Sequence, residues 1–305
     1  MTRVALLGSQ RIAVSFLDFL TSLDDVEVVV VVGCDSDRDE SLGYESLLAR
    51  ARTLNLEVFD AIRDDDPLRT LPSIEPDILF SVYYRRLVPP EVLSIPPLGC
   101  VNIHPGLLPN YRGATPTAWA MLNGETTFGI TIHYMDETFD TGDILVQEVH
   151  DIDPHETGYE LRGRAMNFGT ELLKRNFHGI VNRTLTPIKQ EGPGSYFGKL
   201  ETSYRINWEN RASRIRDAIR VYSSPYSRAR TSLHDKSILV NHVEVLDDGA
   251  RYTAQGPGEI VDVLEKDVLV VAAGDGFLVM DDYETLSPMT DTEREHLLGK
   301  GNHLG

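Results

Sequence analysis

The chain has 305 residues, 41% of them hydrophobic and 25% charged, and its formal net charge is −18. Such a composition describes a folded protein of one large or two ordinary domains, and no apolar run approaches the roughly 20 residues that a membrane-spanning helix needs. The excess of negative charge disfavours an extended polyanion as partner unless a local basic patch overrides it.

Residues 2–8 read as a first strand and 13–20 as the helix after it. A second strand over 26–32 is apolar almost throughout, which suits a parallel strand covered on both faces. An acidic loop follows (Asp35-Ser36-Asp37-Arg38-Asp39-Glu40), then a helix near 44–54, a short strand over 56–59 and another over 77–82. This alternation predicts an α/β fold, Rossmann-like, with a mainly parallel sheet. Gly8-Ser9-Gln10-Arg11 lacks the glycine fingerprint of a dinucleotide site. Cys34 and Cys100 sit in apolar contexts without metal or redox spacing, so buried reduced thiols and no metal are expected. The first residues lack the layout of a cleavable signal, and a cytoplasmic location is expected.

The chemistry concentrates between Val101 and Gly142. An apolar run from Gly99 delivers Asn102 and His104 to a strand's carboxyl end, where ligands bind in open parallel sheets. A Pro/Gly/Arg-rich loop over 105–116, a short helix and a second apolar strand lead to a loop that holds Asp136 and Asp140. Alternation puts residues 102 and 104 on one side of their strand. An amine that attacks an acyl carbon passes through a tetrahedral oxyanion, which needs a donor for the oxygen and a group to move protons. Asn102 offers an amide N–H, and His104 can donate or accept. A carboxylate at Asp140 would fix the imidazole tautomer and raise its pKa. Singly, each residue reads as a turn former or a satisfied structural group; as an ordered set they point to proton transfer at a carbonyl. No serine or cysteine stands out as a nucleophile, which favours direct transfer.

Further along, 144–149 reads as a strand and Thr157 caps a helix that reaches about residue 178. The stretch 187–195, rich in Pro, Gly and polar residues, reads as a linker. A helix over 211–222 precedes β-like runs at 238–246, 258–264, 268–272 and 277–280, which predict a small all-β domain closed as a barrel. The resulting plan is a catalytic domain over 1–186, a linker over 187–205, an OB-like barrel over 206–290 and a flexible tail over 291–305. The arginines of 211–230 (Arg211, Arg214, Arg216, Arg220, Arg228, Arg230) read as a solvated face.

The ordered set Asn102-Ile103-His104, Leu107-Leu108-Pro109, Tyr111-Arg112-Gly113, Pro116 and Asp140-Thr141-Gly142 resembles the signature of folate-dependent formyltransferases. Flanking segments 80–88 and 123–131 are similar too, and Tyr196-Phe197-Gly198, Ile206-Asn207-Trp208 and Gly274-Asp275-Gly276 resemble the linker and C-terminal barrel of the family's longer members. The resemblance implies 10-formyltetrahydrofolate as formyl donor, with no metal. It implies His104 as general acid/base, Asn102 as stabiliser of the tetrahedral intermediate and Asp140 as the residue that elevates the histidine's pKa. Arg86, Leu87 and Val88, with the loop of Asp136, Glu137, Thr138, Phe139 and Asp140, would line the pterin pocket. Pro105-Gly106 and Ala114 depart from common family forms on the acceptor side, and Pro105, Gly106, Tyr111 and Arg112 are the candidate acceptor contacts.

Members that act on tRNA carry a basic insertion where this chain has the acidic run 34–40, so nucleic acid is disfavoured as partner. Tyr83-Tyr84-Arg85 and Gly43-Tyr44 are closer to the formyltransferases of UDP-4-amino-4-deoxy-L-arabinose. A nucleotide-linked amino sugar is therefore the expected acceptor, its two phosphates within reach of a few arginines such as Arg112. Methionyl-tRNA, a natural-product amine, and water in a formyltetrahydrofolate hydrolase are the alternatives. A homo-oligomer is compatible with this plan.

Overall fold

The protein is described from a computed structural model, which covers residues 1–34, 43–64, 66–226, 228–264 and 268–305. The acidic loop expected over 35–40 lies outside the described residues. The chain divides into two compact units, the first formed by residues 1–116, 127–151 and 163–199.

The first unit is built on β1 (Thr2–Gly8), β2 (Val26–Gly33), β3 (Val58–Asp60), β4 (Ile78–Val82), β5 (Cys100–His104), β7 (Thr127–Tyr134) and β8 (Ile144–Asp151), in the order β3-β2-β1-β4-β5-β7-β8. The first five are parallel, while β7 runs antiparallel to both β5 and β8. Apolar runs make the central strands because each is covered twice: residues 4–7 of β1 and the whole of β4 are buried. On one face, Phe16 of helix α1 (Gln10–Thr21), Phe80 and Phe177 interlock at ring-centroid distances of 5.1–6.3 Å. The opposite face packs Leu7, Val32, Leu79, Val88, Cys34 and Cys100 into one cluster. Helix α2 (Leu47–Thr53) is shorter than expected and starts at Ser46, whose hydroxyl accepts the Ala49 N–H. Helix α3 (Pro116–Leu122) follows the loop after β5, and α4 (Gly158–Val181) is capped reciprocally by Thr157 and Glu160, as expected.

One ladder was not legible in the sequence. A two-residue strand β6 (Arg112–Gly113) pairs in parallel with β9 (Tyr196–Phe197). The stretch expected as a linker is thus hydrogen-bonded into the first unit: Ser195 N–H donates to Pro109 O and Arg112 N–H to Ser195 O.

The second unit comprises residues 117–126, 152–162 and 200–305. Its sheet contains β10 (Tyr204–Arg205), β11 (Ala229–Leu233), β12 (Lys236–Val245), β13 (Ile260–Val263), β14 (Leu269–Ala272) and β15 (Phe277–Thr285), in the order β10-β11-β12-β15-β14-β13. Helix α5 (Ala212–Val221) packs against β12. The tail expected to be flexible is ordered. Thr290 and Glu293 form a capping box for α6 (Asp291–Leu297). Beyond it, Ile260 N–H donates to Asn302 O, Leu304 N–H to Gly258 O, and Gly305 exchanges two bonds with Ser232. Backbone pairing to both sides, with Leu298 and Leu304 buried, explains why a polar tail does not fray. Among the described residues no helix is long and apolar enough to cross a membrane.

Candidate active site

β5 alternates as read from its sequence: Val101 and Ile103 enter the core, while Asn102 and His104 share the other face. Across the antiparallel ladder, Asn102 lies opposite His133 and His104 opposite Thr131. Thr131 Oγ1 donates to Gly106 O at 2.7 Å, and Gln147 Nε2 donates to Thr131 Oγ1 and Leu108 O. The start of the acceptor-side loop is therefore tied to β7 and β8.

Asp140 completes the set from the loop after β7. Its backbone is left-handed (φ 58°), a conformation that Asp tolerates better than most residues. One carboxylate oxygen, Oδ2, accepts the Gly113 N–H at 2.8 Å and lies 3.5 Å from His104 Nδ1. The other, Oδ1, lies 3.4 Å from Asn102 Nδ2 and 3.6 Å from His133 Nε2. Asp136 holds the loop that carries it, accepting from Thr138 N–H and from the hydroxyls of Thr138 and Thr141.

His104 is buried and faces acceptors on both sides. Its Nε2 is 2.7 Å from the Tyr111 carbonyl, a contact that assigns the Nε2 proton and leaves Nδ1 as the basic nitrogen toward Asp140. Burial drives its pKa below the ordinary histidine value, against the upward pull of Asp140 and the Tyr111 carbonyl; His133 adds to the lowering. Asp140 thus raises the histidine's pKa as expected, and the net shift is still downward because desolvation of the imidazolium outweighs that pull. For Asp140 itself burial opposes ionisation, yet His104, His133 and the Gly113 N–H hold its carboxyl well below the usual carboxylate range.

Asn102 has partners within the site. Its Nδ2 is directed at His133 Nε2 (3.1 Å) and Asp140 Oδ1, while His133 Nδ1 lies 2.7 Å from Tyr134 O. The amide donor assigned to an oxyanion is engaged within the site, and a ligand oxygen has to compete for it.

An open cleft lies beside this set, lined by Arg86, Leu87, Val88, Asp136, Thr138, Phe139 and Asp140 together with Ser81, Tyr84, Asn102, His133 and Met135. Leu87 and Phe139 are half-exposed on its rim. Apolar flanks over a floor of amide, imidazole and carboxylate fit a flat heteroaromatic with a hydrogen-bonding edge. Glu137 is exposed and does not line the cleft. The acceptor-side candidates divide. Gly106 backs onto the histidine, where a Cβ would come within 2.6 Å of His104 Nε2. Tyr111 contributes its carbonyl and stacks on Phe197 at 5.3 Å. Arg112 directs its guanidinium at Gln190 Oε1 and Pro193 O. Pro105 is half-buried. Sequence reasoning missed His133, although it follows Thr131 by two along an alternating strand, and it missed Gln190 and Ser195, which carry no local signal.

The arginines of the second unit are not a bare solvated face. Arg211 pairs with Asp275, Arg228 with Glu284, and Arg216 and Arg220 both with Asp217; Arg214 donates to Leu122 O, and Arg220 also to Asp153 O and Glu156 O. Among the described residues, no three His, Cys, Asp or Glu side chains are grouped to hold a metal ion.

Residues 3–176 match the family model described as formyl transferase, and residues 200–289 match that described as formyl transferase, C-terminal domain. The chain is similar to a methionyl-tRNA formyltransferase of Alkaliphilus oremlandii (30% identical, 99% of each chain covered) and to one of Acetivibrio thermocellus (32%, 99% of each). Among solved structures it resembles an N-formyltransferase from Helicobacter canadensis in complex with folinic acid and dTDP-3-aminofucose, with a TM-score of 0.74 at 22% identity, over 93% of this chain and 100% of that one.

Proposed function

The chain belongs to the formyl transferase family, and on that premise we propose that it transfers a formyl group from 10-formyltetrahydrofolate to a primary amine carried on a nucleotide-linked amino sugar. The observation that carries the reaction is the convergence of Asn102, His104 and Asp140 beside one cleft, with the basic Nδ1 of His104 facing an ionised carboxylate.

The folate supplies the activated formyl group when bound; backbone groups of 86–88 and the loop 136–140 would hold its pterin edge. As the neutral amine attacks the formyl carbon, the carbonyl π pair moves to oxygen and the Asn102 amide can turn a donor toward it. His104 Nδ1 takes the proton that the nitrogen sheds, and Asp140 stabilises the imidazolium so formed. The same imidazolium returns the proton to N10 as the C–N10 bond breaks, which leaves a formamide and tetrahydrofolate. A lowered histidine pKa keeps the base form available near neutrality.

The acceptor reading is supported by charge. At −18 overall, and with Arg214, Arg216 and Arg220 bonded to carboxylates and carbonyls of their own unit, the second unit is poorly suited to a polyanion, whereas two phosphates need only a few donors. We read its sheet, bridged by residues 302–305 between β11 and 258–260, as an OB-like barrel of a cytoplasmic enzyme. A second reading, methionyl-tRNA as acceptor, is favoured by the 30% identity over 99% of both chains. Incubating the protein with 10-formyltetrahydrofolate and either dTDP- or UDP-linked 3- or 4-amino sugars, charged initiator tRNA or ornithine separates them. Release of tetrahydrofolate with the sugars is expected; formylation of the tRNA alone would overturn the sugar reading.

A further inference from the structure

His104 is gripped from two sides, by Asp140 at Nδ1 and by the Tyr111 carbonyl at Nε2. Both partners stand on loop residues with left-handed backbones, φ 58° and 59°, a conformation that persists where the surroundings impose it. The same short segment supplies the restraint on both. Gln190 Nε2 donates to Asp140 O and Gly142 O, each at 2.8 Å, while its Oε1 accepts from Arg112 Nε and Nη2. Every donor and acceptor of that amide side chain is used, and it joins the loop of Asp140 to the loop of Tyr111. Five residues on, Ser195 Oγ accepts the Tyr111 N–H at 2.9 Å, and its main chain bonds Pro109 and Arg112. Close approach is built in: Gly194 has φ 62°, and a Cβ there would lie 2.1 Å from Pro109 O. Residues 190–195 fall between the two matched regions, 3–176 and 200–289.

We propose that Gln190 and Ser195 are positioning residues of the formyl-transfer reaction, a strap that fixes Asp140 and the Tyr111 carbonyl on opposite sides of His104. The inference rests on the catalytic reading given above. Without the strap both partners stay in the site but their placement relaxes, and misplacement of a catalytic group by about 1 Å is enough to cost up to a hundredfold in rate. The titratable groups that face His104 are Asp140 and, at 6.5 Å between ring centroids, His133. Asp140 and the Tyr111 carbonyl both pull the imidazole's pKa up, so loosening them lowers that pKa further.

The test uses the full chain and the variants Gln190→Met, Gln190→Glu and Ser195→Ala. Three readouts apply: melting temperature, tetrahydrofolate release with dTDP-3-amino sugar and initiator methionyl-tRNA as acceptor probes, and the His104 titration by NMR of ring-labelled histidine, assigned with His104→Gln. Both Gln190 variants are expected to fold and to lose kcat by about tenfold or more at little change in KM for 10-formyltetrahydrofolate. The acidic limb of kcat and the His104 titration should both move to lower pH. Ser195→Ala should lose only a few-fold, because its main-chain bonds persist. Gln190→Glu keeps the acceptor for Arg112 but not the donors to Asp140 and Gly142, so wild-type behaviour in this variant would overturn the proposal. An unmoved His104 titration in folded Gln190→Met would overturn it as well. Absence of tetrahydrofolate release by wild type with either probe would sink the catalytic reading, and the NMR titration would still report on the strap.

Discussion

Replacing Asp140 by Asn tests the electrostatic logic of the site with the smallest change of shape. The carboxylate lies 3.5 Å from His104 Nδ1, and both side chains are about nine-tenths buried or more. At an effective dielectric near 20, unit charges at that separation interact by about 4–5 kcal/mol. If about half a charge has developed on His104 in the transition state, roughly 2 kcal/mol is withdrawn, about thirtyfold in kcat. Asn tolerates the left-handed backbone as well as Asp does and can still accept the Gly113 N–H, so the melting temperature should hold. The pH dependence carries a sign. Burial already sets the His104 pKa below 6.5, and Asp140 opposes that lowering, so loss of the charge moves the acidic limb of kcat to lower pH while the plateau falls. The assay is tetrahydrofolate release at saturating donor from pH 5 to 9. A variant that keeps more than a third of the wild-type plateau, or whose acidic limb moves upward, refutes the reasoning.

Gly106→Ala places a Cβ 2.6 Å from His104 Nε2 and 2.9 Å from Tyr111 O; kcat should fall about tenfold or more while affinity for the folate, measured by fluorescence titration, changes by less than about twofold. Leu304→Ala, at a side chain 4% exposed in the ordered tail, should destabilise the second unit by about 2–4 kcal/mol in denaturant titrations followed by tryptophan fluorescence. Arg220→Met leaves the Asp153 and Glu156 carbonyls without their guanidinium donor, while Asp217 keeps Arg216, at a cost of about 1–3 kcal/mol in denaturant titrations. Its kcat and acceptor KM should stay unchanged; a raised acceptor KM at full stability would assign the arginine to a ligand instead.

Burial pattern decides which parts of this structure were legible in the sequence. β1, β2 and β4 are covered on both faces, and continuous apolar runs announce them. β11 escaped because Arg230, Thr231 and Ser232 interrupt its hydrophobicity, although its alternate residues are buried. The helix over 291–297 had a readable start in Thr290-Asp291-Thr292-Glu293, whereas the pairing of 302–305 is carried by backbone groups, which no residue pattern records. The site divides the same way. Asn102, His104 and Asp140 are brought together as the alternation and the ordered motif imply. Gln190 and Ser195 act across roughly 50 to 80 residues through single hydrogen bonds that leave no period. The upward pull of Asp140 on His104 is a neighbour effect, visible in the motif, while the desolvation that outweighs it belongs to the whole fold.

That shift also bears on which amines the site can formylate. An ionised Asp140 beside a neutral His104 leaves one net negative charge where the nucleophile arrives, so an ammonium group is attracted but is not reactive. To become reactive it must lose a proton, and a histidine whose pKa is lowered by burial is a weak base toward an alkylammonium. The acceptor therefore has to arrive substantially neutral. An amine with the pKa of a lysine side chain, about 10.4, is neutral only about once in 2,500 molecules at pH 7, whereas one near 7.7 is neutral about once in six. An amine whose basicity is reduced by neighbouring oxygens or by an acyl group is in the reactive form at neutral pH far more often than an unactivated side-chain amine such as that of ornithine. Amino sugars and aminoacyl esters both fall in the first group. The basicity of the amine thus ranks both of them above the free side-chain amine in the fraction that is reactive at neutral pH.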